Sequence, residues 1–528
     1  MRRRYVIAAL AALGLPLAAG AFFQQSKDPA DGARLFSQVL QRVEENAVDS
    51  LSRAAIFERA ARGLVKQLND PYADLYSPEE LASFQRNTLR NNYGGVGMQI
   101  ESQEGVIVVA RVFPNTPGEK GGVLAGDRIL AVDSTAVTGL RLDQVSDKLL
   151  GTPGTEVHVT FQRAGVAEPI KSTFKRAVIR VPAVPYSLVL DNGVGYIPLQ
   201  SFNESAAQDV EQALLSLKGR GVKTYVLDLR GNGGGSLEQA LEIGNLFFKP
   251  GQELAAVRHR GRNPEIYRAT RSSVVDSMPV VVLVDGYTAS ASEIVAGSLQ
   301  DHDRALVVGT TSFGKGLVQT LFPLDGGWAM KITTGKWYTP SGRSIQADHD
   351  RLGDERFVEY DSQTPNDTAK RKRPEFKSDD GRTILGGGGV TPDVIVQPDT
   401  LSTPERDLAR AYGPQQAQWY VALYNTSLEF KNGLKPDFTV QPAWREALWS
   451  KLQAAKINVT RAQFDAGQSL VDRALEQWTA RLSFGDSTAF RRSIRYDKQL
   501  DEALDYLRKG TTQRQLLALA GSEAPKRN

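Results

Sequence analysis

Apolar residues fall at helical spacing in LFSQVLQRVEENAV and IFERAARGLVKQL, within residues 33–84, where Asp70-Pro71 and Ser77-Pro78 supply breaks and helix starts. A small helical domain is expected there, at residues 30–90. From Tyr93 to about Arg176 short β-type runs take over, VGMQI, GVIVVARVF, DRILAVD and TEVHVTFQR, punctuated by Gly and Pro and joined by one helix-like stretch, LDQVSDKLL. Residues 91–178 therefore read as a compact β-rich module. The next region, 179–400, alternates strands (VGYIPLQSF, TYVLDLR, VVVLVDG, ALVVG) with helical patterns (SAAQDVEQALLSLKGRG, SLEQALEIGNLFF, SASEIVAGSLQ). Such alternation predicts βαβ units and a largely parallel sheet, so the fold class is multidomain α/β. Beyond Leu401 the segments SLVDRALEQWTARL and QLDEALDYLRK are amphipathic, and their Trp and Leu stripes predict a helical C-terminal domain at 401–528.

Composition changes this picture in three places. The chain of 528 residues is 41% apolar and 23% charged, with a net charge of +4, which fits a globular protein with a real core and argues against a general nucleic-acid binder. The N-terminus joins Arg2, Arg3 and Arg4 to an apolar stretch of about fifteen residues and a small-residue pattern, Ala19-Gly20-Ala21. Residues 1–21 are thus expected to be an export signal, giving a periplasmic or cell-envelope location; left uncleaved, the same segment would tether the chain to a membrane. The absence of cysteine excludes disulfides, thiol catalysis and thiolate metal sites. Residues 347–389 are charge-rich, contain Lys370-Arg371-Lys372-Arg373 and end in four glycines, and read as a solvated insertion.

Candidate chemistry begins at VVVLVDGYTASASEIVAGSLQ, residues 280–300, a buried strand, a turn carrying Gly286 and a helix opening at two serines. A hydroxyl at a strand-to-helix turn is exposed at the sheet edge and sits in the positive field of a helix N-terminus. The competing reading is structural: Ser290-Ala-Ser-Glu293 is a capping box, with Ser290 satisfying an orphan N–H. The segment GTTSFGKGLVQTLF, residues 309–322, places Gly309, Gly314 and Lys315 like a phosphate-binding loop, but Gly316 stands where a Mg²⁺-binding Ser or Thr is required. Read instead as a strand, it projects Lys315, Leu317 and Gln319 from one face. A Ser-Lys dyad needs a neutral amine, and lowering a lysine from about 10.4 to about 7 costs about 4 to 5 kcal/mol, which apolar burial can impose. Gln319 would orient that amine without adding charge.

A third element is LDLRGNGGGSL, residues 227–237, where a strand runs into glycines before a helix. Its backbone N–H groups suit an oxyanion, and Gly234 with the amide of Ala291 is the expected donor pair; the alternative is a plain βα turn. Histidine is sparse: His158, His259, His302 and His349 offer no zinc cluster, and His302 is expected at the surface. No metal or other cofactor is expected.

YGGVGMQI, AGDRILAVD, DLRGNGGG, TASASEIVAG, SFGKGLVQ and TPSGRSIQ together resemble the carboxyl-terminal processing (tail-specific) serine peptidases, exported proteases with an embedded PDZ domain. The resemblance runs in order from about Leu64 to Val396. It implies a crotonase/Clp-like core at 179–400, a PDZ domain at 91–178, and a catalytic set of Ser290, Lys315 and Gln319, with Ser292 as second choice for nucleophile. In a PDZ module Gly94, Gly95, Val96, Gly97 and Met98 would form a loop that binds a chain-terminal carboxylate, with Val96 and Met98 helping to line a pocket for the last side chain. Substrates would be proteins with free, unstructured, apolar C-termini. The family also implies homodimers formed through helical N-terminal segments. A catalytically silent PDZ scaffold on the same fold is the alternative. Gly118 and Gly121 stand where such PDZ domains often carry alanine, which is expected to loosen a local helix start.

Overall fold

The computed structural model describes residues 29–49, 51–85, 92–103, 106–113, 115–163, 166–347 and 373–523. The expected export signal at 1–21 and residues 348–372 of the expected insertion lie outside them. The chain divides into two compact units, one of Met1–Glu79 with Gln319–Thr333, the other of Glu80–Val318 with Thr334–Asn528.

In the first unit the helices Pro29–Asn46 and Arg53–Lys66 precede a short strand, Asp74–Tyr76. Ser52 caps the second helix by accepting the Ala55 amide at 3.2 Å. The strand pairs antiparallel with Ala329–Lys331. Thr333 N donates to Asp70 Oδ2 at 2.9 Å and Lys331 Nζ to the Tyr76 hydroxyl at 2.7 Å, so polar bonds reinforce the short ladder.

The second unit holds an antiparallel sheet of Met98–Gln103, Val106–Val112, Arg128–Val132, Glu156–Gln162 and Ile170–Lys175, in that spatial order, with Thr135–Ala136 added beside the third. Ile107, Val109, Ile129, Val157 and Phe161 alternate inward and pack with Val145 and Leu149 of the helix Leu142–Leu149. Gly118 and Gly121 have a packing reason rather than a loosening effect: an added Cβ would lie 3.0 Å from the Val96 carbonyl oxygen and 2.5 Å from the Phe174 ring, respectively. Thr116 caps that short helix and Pro117 opens it.

The centre of the unit is a six-stranded sheet of β1 (Leu188–Val189), β2 (Val194–Pro198), β3 (Thr224–Asp228), β4 (Val280–Val284), β5 (Leu306–Gly309) and β6 (Val394–Ile395), in that order across the sheet. All neighbours are parallel except β1 and β2. Parallel strands need crossover helices, and α1 (Ala206–Gly219), α2 (Leu237–Asn245) and α3 (Ala291–Asp301) provide them. Val210, Leu214, Ile243, Val295 and Leu299 of these helices cover Leu227, Val282 and Val307. Because the opposite face is also covered, β4 is apolar at every position, Val-Val-Val-Leu-Val.

That second cover comes from the C-terminus. Residues 403–489 form helices with their own core around Trp419, Leu423, Trp444, Leu448 and Leu475, among them α4 (Gln416–Phe430). The last helices, α5 (Lys498–Lys509) and α6 (Gln513–Glu523), instead lay Leu500, Ala503, Tyr506, Leu516 and Leu517 on Tyr196, Val226, Val281, Leu283, Leu306 and Val308. The amphipathic stripe of QLDEALDYLRK thus completes the sheet's second layer.

The described end of the charged insertion is not a solvated excursion. Glu375–Lys377 and Thr383–Leu385 form a hairpin. Arg382 donates to Asp303 and Asp393, both at 2.5 Å, and Arg373 donates to the Gly386 carbonyl, the Gly389 carbonyl and Thr391 Oγ1 at 2.7–2.9 Å. The charge-rich composition misleads here, since Arg373 and Arg382 each have built partners.

Candidate active site

Ser290 stands between β4 and α3 with φ 57° and ψ −113°, a left-handed backbone that a residue with a Cβ rarely adopts. Such strain typically costs about 1–3 kcal/mol and persists only where the surroundings enforce it. The enforcing bonds are visible. Asp285 accepts the amides of Tyr287 and Thr288 at 3.0 Å, Thr288 Oγ1 donates to the Leu229 carbonyl at 2.9 Å, and Glu293 Oε2 accepts the Ser290 amide at 2.7 Å. The Glu293 half of a capping box is therefore built, and it fixes the backbone of the candidate nucleophile.

Ser292 has a different place. It is fully buried, and its hydroxyl donates to the Asn232 carbonyl at 2.9 Å. That bond ties α3 to the glycine turn after β3 and commits the second-choice hydroxyl to structure. Asp285 makes the same connection from the other side by accepting the Gly231 amide at 3.0 Å.

Gly234 has φ 98°, and an added Cβ would stand 2.9 Å from the Ala291 nitrogen and 3.0 Å from Ser290 Cβ, so only glycine fits. The expected oxyanion pair is thus brought together beside the serine. The Gly234 amide is itself donated to Asn232 Oδ1 at 2.9 Å, while Ala291 is the first residue of α3, where no intrahelical acceptor exists.

Lys315 does not lie on a strand. The strand begins at Leu317, and the lysine belongs to the loop before it, so the shared face expected for Lys315, Leu317 and Gln319 is not formed. The glycines on either side explain why. Gly314 has φ 87° and packs where a Cβ would lie 2.7 Å from Ala347, and a Cβ on Gly316 would stand 2.9 Å from the Gln346 nitrogen. Lys315 is half-buried, and its carbonyl accepts Trp337 Nε1 at 3.0 Å. Gln319, half-buried on the strand Leu317–Pro323, donates from Nε2 to Thr333 Oγ1 at 3.3 Å.

What joins the lysine loop to the serine turn is Glu293, a residue otherwise legible only as a cap. Its Oε2 accepts the amides of Ser290 and Lys315 at 2.7 and 2.9 Å, and its Oε1 accepts the Gly314 amide and the Ser312 hydroxyl, both at 2.6 Å. Burial pushes this carboxyl up to about 6, against the opposing pull of those four donors. Ser312 in turn accepts the Val390 amide at 2.7 Å, and a Cβ on Gly389 would fall 2.2 Å from the Ser312 carbonyl oxygen. Three of the four glycines at 386–389 have positive φ, and a Cβ would collide with its surroundings at Gly389 and at Gly386, where it would lie 2.8 Å from the Phe376 ring. His302 lies elsewhere and is not a surface residue: its side chain is 10% exposed, with Nδ1 2.7 Å from Asp379 Oδ2 and Nε2 2.7 Å from the Glu253 carbonyl oxygen.

Comparison with known proteins identifies the family of the chain. The profile of peptidase family S41 matches residues 193–351, which contain strands β2 to β5 of the sheet, both turns and the lysine loop. A carboxy-terminal-processing protease of Bartonella bacilliformis is 37% identical over 316 residues, covering 59% of this chain and 72% of that protein. The chain belongs to peptidase family S41. It is a serine peptidase of the Ser-Lys type. Carboxy-terminal processing protease CtpA of Bacillus subtilis is 36% identical to this S41 peptidase over 55% of the chain and 61% of the relative. A solved photosystem II D1 C-terminal processing protease is 30% identical, covering 69% of this chain and 87% of that one, at a TM-score of 0.37.

A PDZ profile matches residues 108–163 of the S41 peptidase, within the antiparallel sheet. The segment expected as a carboxylate-binding loop is partly strand: Gly94 and Gly95 lie on Asn92–Gly95 and pair with Val178 and Ala177. Gly97 turns the chain with φ 83°, where a Cβ would fall 2.2 Å from Thr116. Val96 and Met98 are 2% and 7% exposed and belong to the sheet's apolar core. Met98 also opens Met98–Gln103, which is an edge strand of that sheet.

Proposed function

We propose that this S41 peptidase is an exported endopeptidase that cleaves proteins bearing unstructured apolar C-terminal tails, through an acyl-enzyme on Ser290. The observation that carries the assignment is the Glu293 carboxylate, which binds the amides of Ser290 and Lys315 with one oxygen. Ser290 Oγ attacks the scissile carbonyl, and Lys315 Nζ takes the hydroxyl proton and returns it to the leaving amine. The amides of Ala291 and Gly234 receive the oxyanion, Gly234 exchanging its bond to Asn232 for one to the substrate. Water then releases the acyl group. The core is of the crotonase/Clp type.

The edge strand Met98–Gln103 supports tail selection, since an extended peptide can add to it as a further strand with its carboxylate toward the turn at Gly97. An apolar N-terminal segment at residues 1–21 supports export to the periplasm or cell envelope.

The decisive experiment compares the wild type with Ser290→Ala, Ser292→Ala and Lys315→Ala on one unfolded substrate carrying a free or an amidated C-terminus. Ser290→Ala and Lys315→Ala are expected to abolish cleavage, Ser292→Ala to retain it, and amidation to raise KM. Cleavage is expected to survive EDTA. An active Ser290→Ala beside an inactive Ser292→Ala overturns the assignment of the nucleophile.

A further inference from the structure

The turn that carries Gly234 is held from outside the peptidase core. Arg230 immediately precedes it, and all five N–H groups of its guanidinium are used. Nε donates to Asp228 Oδ1 at 2.9 Å and Nη2 to Asp228 Oδ2 at 2.6 Å. Nη1 and Nη2 donate to the two carboxylate oxygens of Asp497 at 2.8 and 2.7 Å, and Nη1 also reaches Gln499 Oε1 at 3.1 Å. Asp497 and Gln499 sit at the start of α5, some 270 positions along the chain from Arg230. The Arg230 side chain is 18% exposed and Asp228 8%, so the pairs work in a poorly solvated setting where a planar fork on a carboxylate is strongest.

Asp228 also accepts the Tyr196 hydroxyl at 2.7 Å and the Arg230 amide at 3.0 Å. Tyr196 stacks on Phe490, another C-terminal residue, with ring centroids 4.3 Å apart. Asp497 is itself anchored: it caps α5 by accepting the Leu500 amide at 3.0 Å, and Leu500 is buried against the sheet. From Arg230 the chain passes into Gly231 and Asn232, whose carbonyl accepts the Ser292 hydroxyl and whose side chain accepts the Gly234 amide.

We propose that Asp497 is a positioning residue for catalysis: by clamping Arg230 it fixes the glycine turn that presents Gly234 beside Ser290, which makes the C-terminal helices part of the catalytic apparatus. This rests on the role proposed above for Ser290 and Gly234. A small misplacement of an oxyanion donor lowers turnover without touching the tail-binding strand, so the loss is expected in kcat and not in KM.

The test uses the full chain with Asp497→Asn, Asp497→Glu, Arg230→Lys and, on the exposed side of the same helix, Arg508→Ala. Asparagine caps a helix as well as aspartate does, so α5 keeps its start while the bidentate pair is lost. Asp497→Asn and Arg230→Lys are each expected to lower kcat about tenfold, with KM within twofold and the melting temperature within a few degrees. Combining them is expected to cost no more than either alone. Asp497→Glu restores part of the rate, and Arg508→Ala leaves it unchanged. Unchanged kcat in Asp497→Asn overturns the clamp, as does a lowered melting temperature with normal kcat for the folded fraction. Ser290→Ala measured alongside separates the two readings: if it is active, both fail, whereas an inactive Ser290→Ala with a normal Asp497→Asn removes only the clamp.

Discussion

Glu293 accepts the backbone amide of Lys315 at 2.9 Å through the same oxygen that accepts the amide of Ser290. One carboxylate thereby sets the separation of two loops that lie on either side of α3 and β5. Four donors converge on its two oxygens, and a neutral amide in its place would turn N–H groups toward two of them. Glu293→Gln is therefore expected to lower kcat by about 10- to 100-fold, since reacting groups displaced by even about 1 Å lose that much. Steady-state kinetics on a tail-bearing peptide checks it, and a normal rate would show that the bridge does not position the pair.

The same residue gives the enzyme an acid limit. Its carboxyl is raised from 4.5 to about 6, so the folded state holds the proton more tightly than the unfolded chain. Below about pH 4.5 both states are protonated and the residue adds no pH dependence. As pH rises from there to about 6 the unfolded chain ionises first, and this group removes up to about 2 kcal/mol of stability at 1.36 kcal/mol per unit. The ionised form is nevertheless the one that accepts four hydrogen bonds. Activity is expected to rise through about pH 6 while stability from this group falls, a pairing that Glu293→Gln abolishes; denaturant titrations and rates measured from pH 4.5 to 7.5 check both trends.

Periodicity and turn chemistry placed most of the core in advance. The alternation of VVVLV and its neighbours with amphipathic helices implies a parallel sheet, and a serine at a strand-to-helix turn beside a glycine turn implies a site at the sheet edge. Other features have no local signature. Glu293 reads as a cap because its bond to Ser290 spans three residues, but its partners Ser312, Gly314 and Lys315 are 19 to 22 positions away. Lys315 was expected on a strand because a period of two fits any short run, whereas the tight contacts of Gly314 and Gly316 keep it in a loop. The charge-rich segment 347–389 reads as solvated by composition, although in its described part Arg373 is bound to three acceptors on its own chain. The packing of α5 on the sheet has no local signature for the same reason: a periodic stripe shows that a face is buried, not which surface buries it.

The far end of α3 is tied down by a buried ion pair. Arg343 Nη2 lies 2.7 Å from Asp301 Oδ1, the two side chains being 0% and 1% exposed, and Asp301 Oδ2 accepts the Ser341 amide at 2.9 Å. Burial lowers the guanidinium's affinity for its proton, with Asp301 opposing it. Removing one partner strands the other charge, so Asp301→Ala is expected to destabilise the protein by about 3–5 kcal/mol, whereas Asp301→Leu combined with Arg343→Met costs far less. Thermal denaturation of the three proteins checks the contrast, and equal losses in the single and double variants would contradict it.

The strained backbone of Ser290 separates stability from catalysis at one position. With φ at 57° and ψ at −113°, the residue sits where a Cβ is disfavoured, and the bonds from Glu293 and around Asp285 hold it there. Glycine meets no such penalty but loses more conformational entropy on folding, so the net gain is smaller than the strain itself. Ser290→Gly is expected to abolish cleavage while raising stability by about 1 kcal/mol, and Ser290→Ala, which keeps the Cβ, to abolish cleavage with stability nearly unchanged. A difference in melting temperature between the two inactive variants measures the strain directly, and its absence would mean that the turn is relaxed despite its dihedral angles.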